Sequence, residues 1–206
     1  LAVYAVIFNK MIGGVTGIYL SDVPADQYFH GSVFVVAHFH YMLMGAALFA
    51  AMAGLAFYFP KMTGRVLDER TASIGFWTAF VGFQVTFMAM FVAGLQGMPR
   101  RVLQFDSLFN APNQIATVGA YIIGIGMLIF AGAVVYSWSS GDRAPANPFG
   151  SKSLEWQTPT PVPLENFAVL PVISERPYTY GVPDPYENVS LNSESKPDAQ
   201  KVGGSP

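Results

Sequence analysis

The chain has 206 residues, 52% hydrophobic and only 12% charged, with a formal net charge of −2, whereas soluble domains carry about 25% charged residues. Such a composition reads as a membrane protein and offers no basic surface for nucleic acid. With no cysteine there is no disulfide framework, no thiolate metal site and no iron–sulfur cluster, so any metal must rest on His, Met or carboxylate, and the sequence has three His.

Four apolar stretches, roughly 1–20, 32–59, 72–96 and 114–138, approach the ~20 residues that cross a ~30 Å hydrocarbon core. No charged n-region or cleavage site precedes the first, so the sequence reads as truncated at its beginning or split. Only that stretch holds a charge, Lys10, placed about 14 Å along a helix begun at Leu1 and expected to face protein or water and find an acceptor, or to lose its proton. Pro24, Pro60, Pro99 and Pro112 are all expected between the spans, where a missing N–H does least harm. Small residues such as Gly13, Gly14, Gly17, Gly119, Gly124 and Gly126 predict helices packed on one another. Four spans place the loops around Asp26 and Arg100 on one side. The loop with Lys61, Arg65 and Arg70 lies on the other with the tail, and the positive-inside rule makes that side cytoplasmic.

The predicted organisation is therefore an all-α transmembrane region of four spanning helices over 1–140 and a Pro-rich soluble tail over 141–206. Eleven of the fifteen prolines fall in the tail, which has no apolar period long enough for a helix and is expected to be extended. Leu154-Glu155-Trp156 and Asn166-Phe167-Ala168-Val169-Leu170 are its groups able to dock locally, and the stretch from Asn188 is polar enough to remain mobile.

The second span contains Val35-Val36-Ala37-His38-Phe39-His40-Tyr41. Polar side chains at such depth must be satisfied, by a neighbouring helix or by a ligand. At about 100° per residue, His38 and His40 diverge by roughly 200° around the axis, so the rings cannot easily share one metal but can each ligate a different one, with Phe39 as an apolar spacer. Imidazole is a standard axial haem ligand. Counted from Ser32, the pair lies about 9–12 Å below the non-cytoplasmic surface. On that side Met98-Pro99-Arg100-Arg101 sets two guanidiniums directly after a span, against the usual bias of basic residues; they suit carboxylates such as haem propionates, the bland alternative being solvated or lipid-anchoring arginines.

The stretch Tyr28-Phe29-His30-Gly31-Ser32 continuing to His38-Phe39-His40-Tyr41, with Gly13-Gly14-Val15-Thr16-Gly17 before it and Gly97-Met98-Pro99-Arg100-Arg101 after it, resembles subunit I of cytochrome c oxidase, of the haem-copper oxidase superfamily. Phe59-Pro60-Lys61-Met62-Thr63-Gly64-Arg65 and Leu67-Asp68-Glu69-Arg70 look like the bacterial members. The resemblance covers residues 1 to about 140, the last four of the family's twelve helices, and implies a bacterial cytoplasmic (inner) membrane location with a cytoplasmic C-terminus. It implies that His38 is the proximal ligand of the high-spin haem at the oxygen site and His40 an axial ligand of the low-spin haem, both haems of A type. Phe39 then stands between them, Arg100 and Arg101 bind propionates, Asp26 is the acid near a propionate, and His30 ligates a non-redox magnesium or manganese ion.

The implied activity is reduction of oxygen to water by electrons from cytochrome c, coupled to proton translocation. Copper comes from residues outside this chain, and the partners are the N-terminal part of subunit I, a subunit II and membrane lipid. A quinol-oxidising relative and a non-catalytic assembly subunit derived from an oxidase are the alternatives. Three departures stand out. Gly31 replaces the usual oxygen ligand after His30, which predicts a weakened or water-completed magnesium or manganese site; Lys10 is unusual in its helix; and Ala89 and Phe91 stand where bacterial relatives generally carry Pro and His.

Overall fold

A computed structural model describes residues 2–151 and 153–167. The described residues form helices joined by short connections, and four of these segments are long and apolar enough to cross a membrane: Val3–Ser21, Val33–Thr63, Glu69–Leu95 and Ser107–Ser140. Two compact units are present, Leu1–Tyr58 with Leu67–Gly141, and Phe59–Val66 with Asp142–Pro206.

In the first unit, α1 spans Ala2–Ser21 and α2 Val23–Phe29. The sequence placed a loop around Asp26; a helix forms there because Pro24 occupies the first turn, where its fixed φ is helical and its missing N–H would be unbonded anyway. Asp26 adds a carboxylate to the same turn, favourable near a helix N-terminus. The second span is not one uniform helix. It consists of α3 over Val33–Met42, a π-helical turn over Met44–Leu48, and α4 over Phe49–Thr63. Ser32 caps α3, its hydroxyl accepting from the Phe34 N–H at 3.2 Å. Pro60 lies inside α4 rather than between spans. It is tolerated because only the last turn follows, and Gly64 at φ 72° closes that turn with its N–H on the Pro60 carbonyl at 2.8 Å.

The third span is α5, Glu69–Leu95, and the fourth is α6, Asn110–Ser140, whose first turn takes in Pro112. Glycines let the two backbones touch: a Cβ on Gly75 would lie 2.5 Å from the Phe130 nitrogen, and one on Gly82 2.6 Å from that of Ile123. In lipid such close approach, more than apolar burial, holds helices together. Thr86 adds a polar contact, its hydroxyl 2.9 Å from the Gly82 carbonyl of its own helix and 3.3 Å from the Ala116 carbonyl of α6. On its other side α5 carries Phe76, Phe83, Phe87 and Phe91, which receive Phe34, Tyr41 and Phe49 from the second span.

The second unit is built around Lys61, only 5% exposed. Its ammonium donates to the carbonyls of Ala146 (2.8 Å), Trp156 (3.2 Å) and Thr158 (2.5 Å), and stands 5.7 Å from the centre of the Trp156 ring. Chain pairing between Val66 and Asp142 (2.8 Å) and between Ala144 and Gly64 (2.9 Å) fixes the strap. A four-residue helix, α7 over Leu154–Gln157, forms where the sequence showed no helical period, because Trp156 is buried against Phe149. Of the Asn166–Leu170 group only Asn166 and Phe167 are described, and the stretch from Asn188 lies outside the described residues.

Candidate functional site

The two histidines of α3 turn toward different helices. His38 faces α1, where its Nδ1 lies 3.0 Å from the Thr16 hydroxyl and its Cε1 would be 2.9 Å from a Cβ on Gly17. The Thr16 hydroxyl is also 3.0 Å from the Ile12 and Gly13 carbonyls. When the single hydroxyl proton goes to one of these carbonyls, the hydroxyl oxygen accepts from the His38 Nδ1–H. His40 faces α5, its ring stacked on Phe87 (4.5 Å, 19°) and on Phe39 (4.6 Å, 28°). The His40 Nδ1 donates to the Val36 carbonyl at 2.8 Å, four residues back. His40 is therefore fixed as the Nδ1–H tautomer, and His38 takes the same form when Thr16 donates within its own helix, which leaves each Nε2 with its lone pair; among the described residues no hydrogen bond occupies either Nε2. This is the form in which imidazole binds a metal, with the second nitrogen anchored. Phe39 is 38% exposed between them.

The segment after α5 returns to the start of α3. Val33 N–H bonds the Met98 carbonyl at 3.0 Å, Arg100 N–H bonds the Gly31 carbonyl at 2.9 Å, and Ser32 pairs with Pro99 as an antiparallel bridge. Arg100 and Arg101 are thereby held at the N-terminal end of the histidine helix. Arg101 sits at φ 64°, a left-handed conformation costing an L-residue about 1–2 kcal/mol, so the turn is set by the pairing rather than by local preference. Among the described residues neither guanidinium has a hydrogen bond or ion pair, and Arg100 is half-buried.

At the same end α2 sets Asp26 and His30 one turn apart, with the His30 Nδ1 donating to the Asp26 carboxylate at 3.1 Å. No group of three or more His, Asp or Glu side chains able to hold a metal occurs among the described residues. Gly31 is not forced by packing, since a Cβ there would meet nothing within 4 Å. Lys10 is exposed and has no hydrogen bond or ion pair among the described residues, so the expected acceptor is not found among them.

Several side chains that shape the site had no role at it assigned from the sequence: Thr16 and Gly17, which cradle His38; Phe87, which backs His40; the buried amide of Asn9 and the half-buried amide of Gln84. Thr16 and Gly17 lie within Gly13-Gly14-Val15-Thr16-Gly17, where two backbone-exposing glycines precede a hydroxyl, a signal that could have marked them.

Residues 1–122 match the family described as cytochrome c and quinol oxidase polypeptide I. The chain belongs to this family. It is 42% identical to cytochrome c oxidase subunit 1 of Thermostichus vulcanus over 172 residues, covering 84% of this chain and 31% of that protein. It is 45% identical to the same subunit of Corynebacterium efficiens over 172 residues, covering 81% of this chain and 30% of that one. The chain thus spans about a third of the length of the curated relatives it matches. A haem-copper terminal oxidase solved by cryo-EM as a dimer shares the fold, with a TM-score of 0.61 and 23% identity over 68% of this chain and 26% of that one. The four long apolar helices and the family membership make this a multi-pass membrane protein.

Proposed function

We propose that this chain forms the carboxy-terminal part of the catalytic subunit of a respiratory haem-copper oxidase, which reduces oxygen to water with electrons from cytochrome c and translocates protons. What carries the reading is the pair of imidazoles on α3, each anchored through Nδ1, each with a free Nε2, and turned toward different neighbouring helices. His38 would hold the high-spin haem from the α1 side and His40 the low-spin haem from the α5 side, each through its Nε2. Haem iron, with copper held by residues outside this chain, supplies the electron transfer and oxygen chemistry when bound.

The chain's own residues orient and insulate. Thr16 and the Val36 carbonyl fix the tautomers and ring planes, Phe39 and Phe87 exclude water around His40, and Arg100 and Arg101 offer forked donors to propionate carboxylates. Asp26, bonded to His30, is the acid of that region, and a magnesium or manganese ion there needs oxygens from another subunit because Gly31 supplies none. That these relatives are cytochrome c oxidase subunits supports cytochrome c rather than a quinol as donor. The membrane is the bacterial cytoplasmic membrane, the tail lies on its cytoplasmic side, and the partners are the remainder of subunit I and a subunit II.

The test is an absorption spectrum of the purified complex, with and without carbon monoxide, for His38→Ala and His40→Ala. His40→Ala should abolish the low-spin signal and leave iron at the other face, His38→Ala should perturb the carbon-monoxide-binding haem, and both should lose oxygen reduction. Spectra identical to the parent complex would reduce the pair to structural histidines.

A further inference from the structure

The π-helical turn after the histidines has a geometric consequence. Tyr41 and Phe49 are eight residues apart, so along an uninterrupted α-helix they would diverge by about 80°. A π-turn absorbs about one extra residue, which reduces that angle to about 20° and lets both rings meet α5. They meet it on the same side chain, Phe83, with ring centres at 5.0 Å for Tyr41 and 5.6 Å for Phe49. The turn therefore sets the register between the histidine-bearing α3 and the rest of the span.

Such a turn leaves backbone groups without their usual partners. The Phe49 N–H bonds the Ala46 carbonyl rather than that of Gly45 four residues back. The Gly45 carbonyl is met instead by α1, where the fully buried Asn9 donates its side-chain amide at 3.1 Å. The chain of bonds continues: Gln84 of α5 donates to the Asn9 side-chain oxygen at 2.8 Å, and the Tyr41 hydroxyl donates to the Gln84 oxygen at 2.6 Å. A carbonyl at one end fixes every direction. Only the Asn9 nitrogen can face Gly45, so its oxygen must accept from Gln84, whose oxygen must then accept from Tyr41. Amide groups of this kind hold position and do not relay protons.

We infer that Asn9 is a positioning residue for the proposed haem-ligating histidines. It holds the π-turn open through Gly45 and, through Gln84, holds Tyr41 against α5 beside His40. Phe87 links the two ends, since its ring stacks on His40 at 4.5 Å and lies 6.4 Å from that of Tyr41. Without the Asn9 amide, the Gly45 carbonyl loses its side-chain donor from α1, and relaxation toward a regular helix rotates His40 away from Phe87.

This inference rests on the reading of His40 as a haem ligand, and the experiment separates the two. Asn9→Leu is made in the intact membrane complex and read by hydrogen exchange of the segment 43–49 and by the absorption and electron paramagnetic resonance of the low-spin haem. The expected result is about tenfold faster exchange in that segment, the equivalent of one buried hydrogen bond, with a shifted low-spin signal at unchanged haem content. Gln84→Met, which keeps the length but breaks the chain, should give the same pair of changes, and the double variant no more than either alone. It also serves if Asn9→Leu does not assemble. Unchanged exchange, or faster exchange with an unshifted low-spin signal at full haem content, overturns the positioning role. A parent complex with no low-spin haem refutes the haem assignment instead, while the exchange arm still reads the register.

Discussion

Replacing Gly17 by alanine tests the cradle around His38. A new Cβ would sit 2.9 Å from the His38 Cε1 and 3.7 Å from its Nε2, whereas carbon atoms pack at about 3.5–4.0 Å. The ring must therefore move by about 0.6 Å or more, beyond the ~0.5 Å within which a functional constellation has to be held. The helix itself offers no resistance, since Gly→Ala in a helix interior favours folding by roughly 0.5–1 kcal/mol. Against that gain stands the Thr16–His38 hydrogen bond at 3.0 Å, a contact of about 1 kcal/mol net. Overall stability should hence change little while the site changes. The assay is the carbon monoxide difference spectrum of the purified complex, with the low-spin band as internal control because His40 faces α5. A weakened or shifted carbon monoxide band beside an intact low-spin band is the expected outcome. A carbon monoxide spectrum identical to the parent's, at normal haem content, would refute the reasoning.

Two further substitutions address the remaining features. Gly31→Asp should be accommodated, because the position is sterically open, and should raise retention of manganese by adding a carboxylate beside His30 and Asp26; manganese resonance or metal analysis no higher than in the parent would count against a site there. Lys61→Met should leave three carbonyls without their ammonium, each buried acceptor costing roughly 1–3 kcal/mol, so trypsin should cut after Arg143 at least tenfold faster in opened vesicles. Lys61→Arg should not restore protection, since a planar guanidinium fork does not fit acceptors gathered around a compact ammonium. Equal cleavage rates in all three forms would dismiss the clasp.

What the sequence made legible followed from periodicity and composition. The four spans were readable because lipid leaves few options for an apolar run of that length, and the divergence of His38 and His40 because two residues on a helix differ by a fixed angle. The π-turn was not readable: Tyr41, Gly45 and Phe49 recur at an ordinary four-residue spacing, and only the contact of both rings with Phe83 reveals the extra residue. The bond from Gln84 to Asn9 joins residues 75 positions apart, a pairing with no local signature. Pro60 misled because a proline rule about helix interiors was applied to a last turn, and Trp156 because tertiary burial overrode the absence of a helical period.

The Lys61 clasp also carries an order of events. Its three acceptors lie 85, 95 and 97 residues further along the chain, so they do not exist when the end of α4 leaves the ribosome. At about 5–20 residues synthesised per second, the ammonium waits about 5–20 s for its partners. Through that interval it must stay solvated, and α5 and α6, which lie between Lys61 and its acceptors in the chain, are made before the strap can close. The tail thus acts as a late latch: the second unit is completed only after both intervening spans have been synthesised.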